Sequence, residues 1–350
     1  MQINDAIEKL NRRQNLEREE AHAVMTQLLS GHIADDQIVA LLVALRDNGE
    51  TTAELAGFAE VMRAQAAEVL AAAGVKVSEV ADSNLLLDTC GTGGDGRGTI
   101  NVSTATALVA AACEVRVAKH GNRSISSRCG SADVLETLGV AIDLPLEHIP
   151  ACLEKVGMVF LFAPHLHLAM KHVMNARRII GTKTIFNLLG PLTNPLGASV
   201  QLAGIYDPER TVMLAEALAA VGTRGAFVVA GLDGMDEVTT AGPTRLSEFD
   251  SGPIRTREVL PEDFGLPRAT AEGFAGGDAA TNAGILLRIL GGEKGPLHDC
   301  VLANTAVALV AAGKAPGFQE GVAIAREAID SGAALRKFQA LVEFTDKHRR

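Results

Sequence analysis

Residues 85–104 read LLLDTCGTGGDGRGTINVST. Leu85-Leu86-Leu87-Asp88 is a short apolar run of the kind buried in a parallel sheet, and the glycine-rich loop Gly91-Thr92-Gly93-Gly94-Asp95-Gly96 follows it. Asn101-Val102-Ser103-Thr104 then opens an alanine-rich helix that the pattern carries to about Ala112. Val115-Arg116-Val117-Ala118 reads as the next strand and Lys119-His120-Gly121-Asn122-Arg123 as the loop behind it. Met158–Phe162 and Ala226–Ala230 are further strand candidates with helical patterns between them. Strand, loop, helix, strand is the order of an α/β fold with a mainly parallel central sheet.

The start of the chain has a different texture. Ile38, Leu41, Leu42 and Leu45 recur at helical spacing, and Thr51 and Glu54 have the spacing of a capping box ahead of Leu55, Phe58 and Met62. These are short amphipathic helices whose apolar faces require a partner surface. At 350 residues, two domains are the expectation.

Composition narrows the function classes. A net charge of -10, no Trp and a single Tyr (Tyr206) argue against a nucleic-acid surface, which needs clustered cations and stacking rings. Five cysteines without C-x-x-C spacing give neither a disulfide framework nor a zinc site, and fit a reducing compartment. The charged start MQINDAIEKLNRRQ lacks an apolar secretion core, and no apolar run approaches the ~20 residues of a membrane span. A cytoplasmic protein is expected.

Four features carry chemistry. Glycines at 91–96 let backbone N–H groups approach an anion, and the following helix start adds its partial positive charge with the donors Asn101, Ser103 and Thr104. A phosphate cradle and a mere tight turn are both open readings of that loop. In the second loop Lys119 offers a point charge and Asn122 a paired donor and acceptor. His120 there reads as a packing histidine or as a base. Ser124, Ser126, Ser127 and Ser131 add hydroxyls downstream. Adjacent Asp236 and Glu237 repel one another unless solvated or holding a cation, and hard oxygen donors suit Mg²⁺. His165, His167 and His172 lack metalloprotease spacing, whereas Arg177 or Arg178 can grip a planar carboxylate.

Taken in order, LDTCGTGGDGRGTINVST (87–104), VAKHGNRSISSRCGSADVLETLGV (117–140), FLFAPHLHLAMKHV (160–173), TIFNLLGPLTNP (184–195) and DEVT (236–239) resemble anthranilate phosphoribosyltransferases. The resemblance runs along essentially the whole chain. It implies a small helical domain at 1–75, joined by a helical segment near 165–183, and a large α/β domain at 80–164 and 184–345. It also implies a homodimer through the helical domains.

By the same resemblance, phosphoribosyl pyrophosphate (PRPP) contacts fall on Gly91, Gly93, Gly94, Asp95, Thr99, Asn101, Ser103, Thr104, Lys119 and Ser131. Magnesium ligands fall on Ser103, Asp236 and Glu237. Anthranilate contacts fall on Gly91, Asn122, His167, Arg177, Gly190 and Pro191, with His120 near the acceptor. Asn175-Ala176 departs from the Pro-Val common before the paired arginines, and Lys183 stands where Arg is common. The implied reaction joins the anthranilate amine to C1 of the ribose as pyrophosphate departs. A pyrimidine nucleoside phosphorylase of related architecture and a non-catalytic paralogue that binds nucleic acid are the competing readings.

Overall fold

The computed structural model describes residues 1–81, 85–124 and 128–349; Ser126 and Ser127 lie outside the described residues. The chain begins with helices α1 (Ile3–Asn11), α2 (Arg18–Leu29), α3 (Asp35–Asn48) and α4 (Thr52–Ala72). The stripe Ile38, Leu41, Leu42 and Leu45 is buried throughout, as are Leu55, Phe58 and Met62. The capping box at Thr51 and Glu54 forms as the spacing predicts. Glu54 is fully buried, and it also accepts the Leu16 N–H at 2.9 Å, which ties the α1–α2 connection to α4.

The central sheet contains β1 (Leu87–Gly91), β2 (Val117–Gly121), β3 (Met158–Phe162), β4 (Val200–Gly204), β5 (Gly225–Gly231), β6 (Thr244–Asp250) and β7 (Arg255–Val259). Their order is β3-β2-β1-β4-β5-β6-β7. The first five are parallel and β6 and β7 antiparallel. The sheet is therefore mainly parallel, as expected. Both strands sit later than the sequence reading: β1 is Leu87–Gly91 rather than 85–88, and β2 is Val117–Gly121 rather than 115–118, so that Lys119, His120 and Gly121, expected in a loop, lie in the strand. A lysine tolerates that buried strand position because its ammonium finds acceptors, described below.

Both faces of the sheet are covered. Along β5, Phe227 and Val229 join one core, which is completed by the helices Val102–Ala112, Pro296–Ala311, Phe318–Asp330 and Ala333–His348. Ala226, Val228 and Ala230 point the other way, into a core shared with the helix Thr211–Ala220 and with α1–α4. This period-two partition is what a strand buried on both sides requires. Arg63 of α4 crosses the same boundary, donating to the carbonyls of Leu192 at 2.6 Å and Val221 at 2.8 Å. Among the described residues, no helix is long and apolar enough to cross a membrane.

Candidate active site

The strand order places a reversal between β1 and β4: the chain builds β1, β2 and β3 outward in one direction, then returns to the other side of β1. Ligands of open α/β sheets collect at the carboxyl ends of strands at such a reversal. Here β1 and β4 end on Gly91 and Gly204, which are register partners. The turn after β5 lies across both: its backbone leaves no room for a side chain at Gly204, and its Asp236 carboxylate faces Gly91. A Cβ on Gly91 would sit 2.6 Å from Asp236 Oδ2, and one on Gly204 would sit 1.6 Å from the Asp236 carbonyl oxygen. Asp236 is thus set directly over the strand ends, with Glu237 next to it in the turn.

The glycine loop meets that pair. Gly93, at φ 63°, donates its N–H to Asp236 Oδ2 at 2.9 Å. Ser103, in the first turn of the helix Val102–Ala112, donates its N–H to Glu237 Oε1 at 3.1 Å. Two amides expected for a phosphate are therefore given to carboxylates, since a helix start and a glycine loop attract whichever anion stands nearest. Thr104 follows Ser103 in the helix. It is fully buried, its amide reaches the Asn101 carbonyl at 3.0 Å, and its hydroxyl has no partner among the described residues.

Asp95 Oδ1 accepts from the Arg97 N–H at 3.1 Å. Thr99 bridges to Ala275, and Asn101 is held between the Cys129 carbonyl at 3.2 Å and the Asn282 amide at 3.1 Å. These links tie the exit of the loop to two distant segments.

Lys119 lies at the bottom, fully buried, with its Nζ donating to the Thr89 carbonyl at 2.5 Å and to Ser103 Oγ at 3.1 Å. Burial lowers its pKa, and the charges of Asp88 and Glu237 oppose that. The acids are shifted the other way. Burial, then Asp95, pushes Asp236 up to about 6, and burial with Asp236 beside it raises Glu237 well above the carboxylate range. Lys119 cannot balance both charges alone. An all-oxygen set of Asp236, Glu237 and Ser103 Oγ, short of positive charge, fits a hard divalent cation. Among the described residues, no group of three or more His, Cys, Asp and Glu forms a closed metal cage. Mg²⁺ commonly keeps waters and substrate oxygens rather than a complete protein shell.

The second half of the site is built on β2 and the turn Gly190–Thr193. Buried Asp88 fixes both, accepting the His120 N–H at 3.1 Å and the Asn194 amide at 2.8 Å, while Asn194 also donates to the Ala118 carbonyl at 2.8 Å. The rings of His120 and His167 meet edge to face with centroids 5.2 Å apart. Backbone bonds to Gly190 and Thr193 orient them. Burial pushes His120 down to about 3 and His167 to about 4, so both are neutral at physiological pH. Their Nε2 atoms and the Arg63 Nη2 are buried without partners among the described residues.

Arg177, in the helix Lys171–Ile180, lies 5.3 Å over the Phe186 ring. Burial lowers its pKa, and among the described residues it has no carboxylate partner. Arg178 is exposed. Asn122 and Ser131 are brought together, the Ser131 hydroxyl donating to the Asn122 carbonyl at 3.4 Å. Pro191 is buried and Gly190 exposed on the same turn. Sequence reasoning missed Asp88, Arg63, Asn194 and Asn282. Only the acid closing an otherwise apolar LLLD run was a usable signal.

Two family models match the chain, both described as glycosyl transferase family: a helical bundle domain over residues 4–66 and an a/b domain over 83–335. A two-domain glycosyl transferase is thus the class that fold and site define. A Syntrophobacter fumaroxidans anthranilate phosphoribosyltransferase is 48% identical, covering 99% of this chain and 100% of its own. One from Moorella thermoacetica is 50% identical, covering 97% of each. The chain belongs to the anthranilate phosphoribosyltransferase family. Solved structures agree. The enzyme of Thermus thermophilus superposes with a TM-score of 0.87 at 43% identity, covering 98% of this chain and 99% of its own. That of Saccharomyces cerevisiae in complex with PRPP and Mg reaches 0.87 at 28% identity, covering 99% and 98%.

Proposed function

We propose that the chain transfers the 5-phosphoribosyl group of PRPP to the amine of anthranilate, giving N-(5-phosphoribosyl)anthranilate and pyrophosphate. The observation that carries this reading is the pairing of two unbalanced charges: an acid pair joined to the glycine loop and the helix start behind it, and an arginine without a carboxylate partner over the Phe186 ring. The first matches a polyphosphate with its cation, the second an aromatic acid.

In this reading Gly91, Gly93, Gly94, Asp95, Thr99, Asn101, Ser103, Lys119 and Ser131 receive the donor, with Thr104 supporting the helix start from behind. Asp236, Glu237 and Ser103 hold Mg²⁺, which supplies positive charge to the departing pyrophosphate. Arg177 grips the anthranilate carboxylate and so aims the amine. Asn122, Gly190, Pro191 and the His120–His167 pair line the acceptor's path. A neutral aromatic amine is already nucleophilic and needs no base before it attacks; the proton it loses on bonding to C1 passes to pyrophosphate or water. Preorganised charge at C1 of the ribose then carries the barrier reduction.

The same reading divides the chain into a helical part at 1–75 with 165–183, which presents Arg177, and an α/β part at 80–164 and 184–345, which holds the donor. It makes the protein a cytoplasmic homodimer joined through the helical parts. Leu168 and Ile179, 55% and 62% exposed, support such a contact.

The test is loss of anthranilate fluorescence with PRPP and Mg²⁺, with and without EDTA. Loss that needs both is expected. No loss with folded protein at saturating substrate would overturn the reading, and thymidine with phosphate would then be tried.

A further inference from the structure

Lys183 is absent from every contact assigned so far, yet it stands between the two halves of the site. It lies in the short connector between the helix Lys171–Ile180, which carries Arg177, and the helix Phe186–Leu189. Gly181, at φ 65°, ends the first helix, and Arg46 of α3 holds the connector by donating to Thr182 Oγ1 at 3.0 Å.

From there the Lys183 side chain runs toward the glycine loop. A Cβ built on Gly94 would lie 3.1 Å from its Cε and 3.4 Å from its Nζ. Its ammonium rests on the face of Tyr206, 3.1 Å from the ring centroid. Tyr206 follows β4 at the strand reversal. A cavity of about 320 Å³ lies beside it, lined by Arg46, Lys183, Tyr206 and Arg210 among others. Arg46 and Arg210 already have carboxylate partners, Asp47 and Glu50, each at 2.8 Å. Lys183 has none within ion-pair distance among the described residues, although Asp95, Asp236 and Asp207 are close enough to attract it.

We infer that Lys183 is a phosphate-binding residue parked on Tyr206, which moves onto the phosphate oxygens of PRPP when the donor enters the glycine loop. A ring face holds an exposed ammonium weakly, whereas a phosphate oxygen makes a charge-assisted hydrogen bond. The lysine is exposed, its stem has rotameric freedom, and the loop it overhangs is the one assigned to the donor. The inference rests on the PRPP reading of that loop. It also connects donor to acceptor, because the connector that Lys183 occupies begins where the helix of Arg177 ends.

The protein carries its own reporter for this movement. With no Trp and Tyr206 as the sole Tyr, intrinsic tyrosine emission comes from the ring that Lys183 covers. The experiment titrates the full-length protein with PRPP and Mg²⁺ in the absence of anthranilate, reading tyrosine emission and binding heat together. Wild type is expected to show a saturable emission change that tracks the heat. Lys183→Met should abolish the emission change and weaken PRPP binding roughly ten- to hundredfold, with melting temperature and Arg177-dependent acceptor binding retained. Lys183→Arg should restore most of the affinity. Unchanged PRPP affinity in Lys183→Met, with normal wild-type heat, would overturn the inference while leaving the donor reading intact. Absence of any PRPP heat in folded wild type would overturn the donor reading itself, and the inference with it.

Discussion

Asp236 lies with its backbone directly on Gly204: the carbonyl oxygen of one occupies the space where a side chain of the other would begin, 1.6 Å from an ideal Cβ. Asp236 is therefore positioned with the help of a missing side chain on a neighbouring strand.

Gly204→Ala should be the most damaging small substitution in the site. The clash is with backbone, so the turn must lift as a unit and carry Asp236 and Glu237 away from Gly93 and Ser103. We expect kcat/KM to fall by at least about a hundredfold, consistent with a misplaced catalytic constellation. The thermal stabilisation produced by PRPP with Mg²⁺ should disappear. Steady-state kinetics and ligand-dependent melting curves check this. Retention of both would mean that the turn relaxes without moving the acids.

Asp236→Asn should stabilise the protein without metal while abolishing its metal response. The folded-state carboxyl, at about 6, lies above its ordinary value. The folded protein thus holds that proton more tightly than the unfolded chain. The contribution is present at low pH, declines as pH rises from about 4 through 6, and stays lost above. At pH 7.5, the variant removes a buried charge that wild type must keep ionised. A rise of about 2–5 °C in melting temperature in EDTA is expected, shrinking toward pH 4.5. A lower melting temperature at pH 7.5 would show that the Gly93 bond outweighs the charge.

The histidine pair gives the opposite slope on the acid side. Burial holds both rings below the ordinary histidine range, at about 3 and about 4. Their contribution is complete above the unfolded value near 6.5 and is lost progressively as pH falls from there toward 4. The ceiling is about 1.4 kcal/mol per pH unit per ring. Denaturant unfolding at pH 7, 6 and 5 should show this loss. His120→Asn with His167→Gln should flatten it, and an equally steep double variant would assign the slope to other groups.

Arg177→Ala should raise the KM for anthranilate roughly ten- to hundredfold while leaving the KM for PRPP within about twofold. Because burial already disfavours this unpaired cation, its removal should not lower the melting temperature. Benzoate protection of wild type against thermal unfolding, absent in the variant, would assign the carboxylate directly. An unchanged anthranilate KM would remove Arg177 from the acceptor site.

Much of this arrangement was legible in the sequence because it is local. The Gly91–Gly96 loop, the Asn101–Thr104 helix start and the Thr51–Glu54 cap each declare themselves within a few residues. A lysine at the end of an apolar run reads as a strand terminus, which puts Lys119 in the loop on sequence alone. The Thr89 carbonyl and Ser103 Oγ, with the charges of Asp88 and Glu237, make its strand position tolerable, and all four are distant in sequence. Asp88 read as the close of a strand, although it secures His120 and Asn194 across the sheet. The order of Val200–Gly204 beside Leu87–Gly91 has no local signature at all. For that reason the sequence offered donor atoms for a cation without showing what sets them over the loop.

The core shared by α1–α4 and the β4–β5 side of the sheet bears on how the gene could be cut. A break near residue 75 falls in the natural gap between the two family models, yet it would separate neither piece cleanly. The N-terminal fragment would lose the wall against which Leu45, Leu55 and Phe58 are packed, together with the Arg63 anchor at Leu192 and Val221. The remainder would display the outward alanines and valines of β4 and β5 as an uncovered oily strip. Split-protein reconstitution should therefore succeed only when both fragments are made together, each acting as the other's folding template.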